Sequence, residues 1–152
     1  MSSTPTTAVI AEFEYPREVR FVDTDATGLA HFSVYVQMME ETEYAFLRSR
    51  GLRVVLHDEL GTLGFPRLSA SLTIHDPLTF EQQVTVKLKL VEIDGKRIVY
   101  EFDIVDQNHD VAVQGRFSVA CCRFPNDAGE DGAALYAILT PQFVMDALKG
   151  ET

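Results

Sequence analysis

Residues 32 to 50 read FSVYVQMMEETEYAFLRSR, and Gly51 follows. Tyr35, Met38, Met39, Thr42, Ala45 and Phe46 fall at offsets of 0, 3, 4, 7, 10 and 11, which is one face of an α-helix. Gln37, Glu40, Glu41 and Arg48 take the other side, and Gly51 is a natural C-terminal stop. The body of the chain holds no second helical pattern of this length. The apolar face is broad enough to lie on a sheet.

Downstream, the period changes from 3.6 to 2. Gln83 to Ile93 places Val84, Val86, Leu88 and Leu90 on one face and Thr85, Lys87 and Lys89 on the other. Asp94-Gly95 is a tight-turn signal. Lys96 to Val105 returns with Ile98, Tyr100, Phe102 and Ile104 alternating against Glu101 and Asp103. Phe65 to Ile74 is a further strand, and Val111 to Phe124 is the last and most apolar one. Gly115 and Ala120 in it predict a central position with something packed closely upon it. Residues 52 to 62 read as a short helix or an irregular loop. Residues 125 to 133 read as a polar loop, and Thr140-Pro141 opens a short final helix with Thr140 as N-cap.

Upstream, Glu14 to Val22 reads as a strand entered at Pro16, and residues 23 to 30, DTDATGLA, are turn and cap formers. The expected architecture is therefore α+β: one long helix packed against a five-stranded, mostly antiparallel sheet. The 152 residues fit one domain, with 1–12 a flexible terminus and 13–152 the folded body. One helix cannot cover both faces of such a sheet, so pairing with a second copy, by sheet extension or face packing, is expected.

A net charge of −10 with dispersed Lys and Arg argues against nucleic acid. The start of the chain shows no basic region followed by an apolar one, and no apolar run is long enough to span a bilayer. Adjacent Cys121 and Cys122 point to opposite faces of a strand and lack zinc-site spacing. These features predict a cytoplasmic protein without metal or disulfide.

The chemistry is expected where the first strand meets the long helix. Backbone N–H groups in the first turn of a helix are unpaired and lie at its positive end, where they stabilise a developing oxyanion. A carboxylate a few residues upstream attacks an ester carbon or activates water. Asp25 is that carboxylate by type and place. The plainer reading of Asp25 is a helix cap or a turn residue.

Residues 19 to 51 resemble the 4-hydroxybenzoyl-CoA thioesterase branch of the hotdog superfamily. The likeness rests on Asp23-Thr24-Asp25-Ala26-Thr27-Gly28, Tyr35 within the helix, and Glu40 one turn on. About residues 63 to 124 fit the family's strand order without a sharp motif. The resemblance implies the hotdog fold, acyl-CoA hydrolysis, Asp25 as the catalytic carboxylate and the Phe32 N–H as the group polarising the thioester carbonyl. Gly28 and Tyr35 are its candidate substrate-binding residues, and Arg67, Lys87, Lys89, Arg116 and Arg123 are the basic residues available to the CoA phosphates, with Arg67 taken as the candidate. It also implies a homodimer or dimer of dimers with the site between subunits, and no cofactor, coenzyme A being part of the substrate. The chain departs from one set of relatives, which carry His where Phe32 stands. Here the His is His31, a second catalytic candidate. In another hotdog branch a helix Glu is the catalytic carboxylate, which makes Glu40 or Glu41 a further alternative to a solvated face.

Two other functions compete. A hotdog dehydratase would carry Gly and Pro after its His, whereas His31 is followed by Phe32-Ser33-Val34. A non-catalytic acyl-CoA or acyl-carrier binding module would keep the fold. A buried carboxylate beside the thioester would be a cost without benefit to such a module. A thioesterase acting on acyl-carrier protein is a variant of the first reading, disfavoured because such carriers are themselves acidic.

Overall fold

The computed structural model describes residues 8–125 and 135–151. Nine strands and two helices are assigned among them: β1 (Ala11–Glu18), α1 (Phe32–Ser49), β2 (Leu56–Asp58), β3 (Gly61–Gly64), β4 (Arg67–Ile74), β5 (Gln83–Ile93), β6 (Arg97–Val105), β7 (Val111–Ala120), β8 (Cys122–Pro125), β9 (Tyr136–Ala137) and α2 (Gln142–Lys149). The main sheet has the order β1-β5-β6-β7-β4, with every neighbour antiparallel. A smaller sheet runs β2-β3-β8-β9.

The inner face of the main sheet carries Val86, Leu88 and Leu90 of β5, Tyr100 and Phe102 of β6, and Phe117 of β7, all under 3% exposed. α1 lays Tyr35, Met38, Met39 and Phe46 across them. Each such side chain removed from water contributes roughly 1.5–3 kcal/mol. A file of rings, Phe46–Tyr100–Phe102–Phe117, fills the middle with centroids 6.2, 6.2 and 5.1 Å apart. Gly115 sits under α1, where a Cβ would collide with the thioether end of Met39. The helix lies that close because the strand offers no side chain there, as expected from the sequence.

The outer face is solvated. Register places Glu12 beside Lys89, Lys89 beside Glu101 and Glu101 beside Arg116, while Glu14 faces Lys87 and Lys87 faces Asp103. Opposite charges thus alternate across the strands, which stabilises cross-strand pairs. Such a face needs no second layer within the chain, so one helix suffices.

Four expectations change. The first strand runs Ala11–Glu18, not Glu14 to Val22, so residues 11 and 12 belong to it rather than to a loose terminus; Phe21–Asp23 form a 3₁₀ turn instead. Residues 52 to 62 contain β2 and the start of β3, an antiparallel hairpin. The expected strand Val111 to Phe124 is two strands broken at Cys121, β7 in the main sheet and β8 in the small one. α2 is capped by Pro141, and Thr140 makes no side-chain cap bond; its buried hydroxyl has no partner among the described residues. The polar loop of residues 125–133 lies outside the described residues except Pro125, the last residue of β8. Cys121 and Cys122 are buried free thiols, and no helix among the described residues is long and apolar enough to cross a membrane.

Candidate active site

β1 ends at Glu18, and the Val19 N–H donates to the Gln82 carbonyl at 2.9 Å. The chain then turns sharply. The Asp23 N–H donates to the Arg20 carbonyl at 3.0 Å, and the Arg20 N–H donates to the Asp23 carboxylate at 2.8 Å. Asp23 therefore closes its own turn. Its carbonyl also accepts the His31 N–H at 2.9 Å, which brings the two ends of the 23–31 loop together.

Inside that loop the Asp25 N–H donates to Leu29 at 2.9 Å and the Gly28 N–H donates to Asp25 at 3.1 Å. Gly28 has φ = +82°, a left-handed conformation that a side chain disfavours. The loop is braced from outside as well: the Ala30 N–H donates to Leu78 and the Phe80 N–H to Gly28. α1 begins immediately after, at Phe32, with His31 as its N-cap residue and no side-chain cap bond. The first-turn N–H groups of Phe32 and Ser33 have no carbonyl one turn earlier within the helix. The Asp25 loop and the positive end of α1 are thus consecutive in the chain and joined by the Asp23–His31 bond.

Asp25 lies in an open cleft of about 580 Å³ walled by Phe21, Thr24, Ala26, Gly28, His31 and Phe80. Its Oδ1 accepts the Thr27 N–H at 2.7 Å and also the Thr27 hydroxyl. The Thr27 hydroxyl, then the Thr27 N–H, hold the Asp25 carboxyl below its ordinary range; the nearby His31 adds a smaller push in the same direction. Asp25 is an ionised carboxylate at neutral pH. It is exposed in the single chain, not buried as the argument against a binding module assumed.

The other sequence candidates divide. Gly28 and His31 share the cleft with Asp25. Phe32 is the first residue of α1, next in the chain after His31; it is not among the residues that wall the cleft, and its ring is 67% exposed. Tyr35 points into the core; its hydroxyl accepts the Leu78 N–H at 3.1 Å and so holds the loop that carries Phe80. Arg67 is not a free cation: its Nη1 lies 3.0 Å from Glu43 and its Nη2 3.7 Å from Glu40. Glu41 pairs with Arg17 at 2.8 Å. Phe21 and Phe80 are not singled out by the sequence, and Thr27 enters only as part of the motif, not as a partner of Asp25. The Asp-x-Thr spacing of an Asx-turn would have pointed to Thr27, whereas Phe21 looked like one more strand residue.

Residues 19–137 match the thioesterase-like superfamily. The chain belongs to that superfamily. Membership accounts for the fold and for the class of chemistry, hydrolysis of a thioester. Over 92 residues the chain is 26% identical to a 1,4-dihydroxy-2-naphthoyl-CoA hydrolase of Synechocystis sp., covering 60% of this chain and 67% of that one. Among solved structures it superposes on the 1,4-dihydroxy-2-naphthoyl-CoA thioesterase from Synechocystis with a TM-score of 0.75 at 19% identity, covering 91% of this chain and 96% of the other. A gentisyl-coenzyme A thioesterase gives 0.72 at 23% identity, covering 88% and 99%. Both superpositions establish that the thioesterase-like chain has the hotdog fold.

Proposed function

We propose that this protein hydrolyses an acyl-CoA thioester to the free acid and CoA, with Asp25 as nucleophile or general base. The observation that carries the reading is an ionised, exposed carboxylate in one cleft with His31, the N-cap residue of α1. As nucleophile, Asp25 adds to the thioester carbon and the oxygen charge that develops is received by the Phe32 N–H. The CoA thiolate leaves, and water cleaves the resulting anhydride, returning the Asp25 carboxylate. As base, Asp25 takes a proton from the water that attacks. The lowered proton affinity of Asp25 keeps it ionised for either route.

Phe21 and Phe80 meet edge to face at 6.1 Å and give the acyl group an apolar wall. Aryl-CoAs are the first class to try, matching the names of the Synechocystis and gentisyl relatives. The formal charge of −10 favours CoA over an acidic carrier protein as the handle. The direct test is thiol release from aryl- and alkyl-CoAs of graded length. Release from an aryl-CoA is expected; inertness toward every CoA ester, with turnover of a carrier-bound acyl group or of none, sinks the reading.

The working unit is a homodimer joined through β4. That strand pairs with β7 on one side only, and Leu68 is 60% exposed at its start. An unpaired edge is an open template for another strand, and a second copy would also close the cleft that leaves Asp25 in solvent. Sedimentation should give twice the chain mass. Replacing Ser69 or Ser71 by Pro should shift it toward one chain, and an unaltered dimer would exclude the β4 edge.

A further inference from the structure

Inward positions of β1 alternate Ala11, Phe13, Tyr15, Arg17, and the last of these is a charge where a core side chain is due. Arg17 is 7% exposed. Its Nη1 donates to Asp23 Oδ2 at 2.7 Å and its Nη2 to Asp23 Oδ1 at 3.3 Å. Its Nε donates to Glu41 Oε2 at 2.8 Å, and Nη1 also reaches the Glu18 carbonyl. Asp23 is itself nearly buried, its side chain 5% exposed, while Glu41 stays 40% exposed. One guanidinium thus joins β1, the loop that carries Asp25 and the middle of α1.

An isolated buried charge is costly, and apolar residues of similar size usually hold a fold as well or better. A core residue at this position would leave the Asp23 carboxylate held by the Arg20 N–H alone, and Asp23 is the hinge of the site. Its carboxylate closes the turn before Asp25, and its carbonyl takes the N–H of His31, the residue before the Phe32 N–H. The relative position of the attacking carboxylate and the helix start therefore passes through Asp23. A guanidinium fork is the side chain that can grip one carboxylate with two nitrogens and a second with its third.

We propose that Arg17 is a positioning residue for the thioesterase site, holding the Asp25 loop to α1 by bridging Asp23 and Glu41. The inference rests on the reading of Asp25 as the reacting carboxylate. It accounts for a charge at an inward strand position that the core does not need and the substrate does not reach.

The test compares Arg17→Met, Arg17→Lys, Glu41→Gln and Asp25→Asn in the full chain. Arg17→Met strands the buried Asp23 carboxylate at a cost to folding, so Glu41→Gln, at a half-exposed partner, is the decisive variant. Thiol release should show kcat lowered by roughly tenfold for Glu41→Gln, and by more for a folded Arg17→Met, because small displacements of reacting groups are costly. KM should stay within about threefold, since no substrate contact is removed. Arg17→Lys, a point charge without the fork, should recover only part of the rate. Hydrogen exchange of the His31 and Asp25 amides should quicken in Glu41→Gln while the β5 amides stay protected. If Asp25→Asn is inactive while Glu41→Gln retains wild-type kcat and loop exchange, the positioning role is overturned. If Asp25→Asn remains active, the reading of Asp25 fails, and this inference with it.

Discussion

Asp25→Asn should abolish thiol release, by roughly a thousandfold or more, as loss of a reacting group does elsewhere. The substitution is close to isosteric. Asn keeps an oxygen to accept the Thr27 N–H and hydroxyl, so the Asx-turn and the Gly28 conformation survive. Asp25 is exposed, and a surface change of this kind leaves stability within about 0.5 kcal/mol. What disappears is the negative charge that adds to the carbonyl or takes the proton. The pH profile carries the same signature. The Thr27 bonds lower the Asp25 carboxyl, so its charged form persists through mildly acid solution, and the acid limb of kcat/KM should fall below the ordinary Asp value of about 3.9. A rate retained in Asp25→Asn would move the chemistry to His31, the other ionisable group in the cleft, or to Glu40 and Glu41. Those glutamates are engaged by Arg67 and Arg17.

The parts of the fold legible in the sequence are those where one physical signal dominates. The hairpin β5–β6 announces itself because both strands alternate cleanly and Asp94 accepts the Lys96 and Arg97 N–H groups at the turn. α1 is legible because its buried stripe is nearly continuous. Where a pattern runs through a boundary, it misleads. Phe21 and Val22 continue the alternation of the first strand, yet each is 79% exposed on the 3₁₀ turn, one of them as a wall of the cleft. Residues 111 to 124 are mostly apolar, and nothing in their composition marks Cys121 as the place where the chain passes between sheets. β2 and β3 are three and four residues long, too short for a period to register. Asp25, Gly28 and the helix start were visible because a loop between a strand and a helix needs few contacts to place. The pairings of Arg17, Glu43 and Arg67 were not, because a charged letter reads as solvent-facing until its partner is known. Glu43 meets Arg67 24 residues further on, and Arg17 meets Glu41 across the same separation.

The Glu43–Arg67 pair gives the second large effect. Glu43 faces the core from α1 with its side chain 1% exposed, and Arg67 reaches it from the edge strand β4 at 3.1 Å. The guanidinium lies over the Phe117 ring at 4.4 Å. Burial pushes the Glu43 carboxyl from 4.5 up to about 7, Arg67 pulls it down, and Glu40 nearby pushes it up slightly. In the unfolded chain the group titrates near its ordinary value. Between 4.5 and about 7 the folded protein therefore binds more protons than the unfolded one, and stability falls as pH rises through that window. The fall amounts to roughly 3 kcal/mol at 1.36 kcal/mol per pKa unit and levels off above it. Arg67→Met keeps an apolar stem over Phe117 but removes the cation that lowers the carboxyl, so Glu43 titrates higher still and the decline continues past neutrality. Urea unfolding should show a modest loss at pH 5, where Glu43 is protonated with or without its partner. At pH 8.5 the loss should approach the roughly 3–5 kcal/mol typical of breaking a buried pair from one side. Glu43→Gln in the Arg67→Met background should recover most of the loss at pH 8.5 and little at pH 5, because an amide has no charge to strand. A penalty equal at both pH values, or one that Glu43→Gln leaves in place, would mean that Arg67 acts through its stacking on Phe117 rather than through the buried carboxylate.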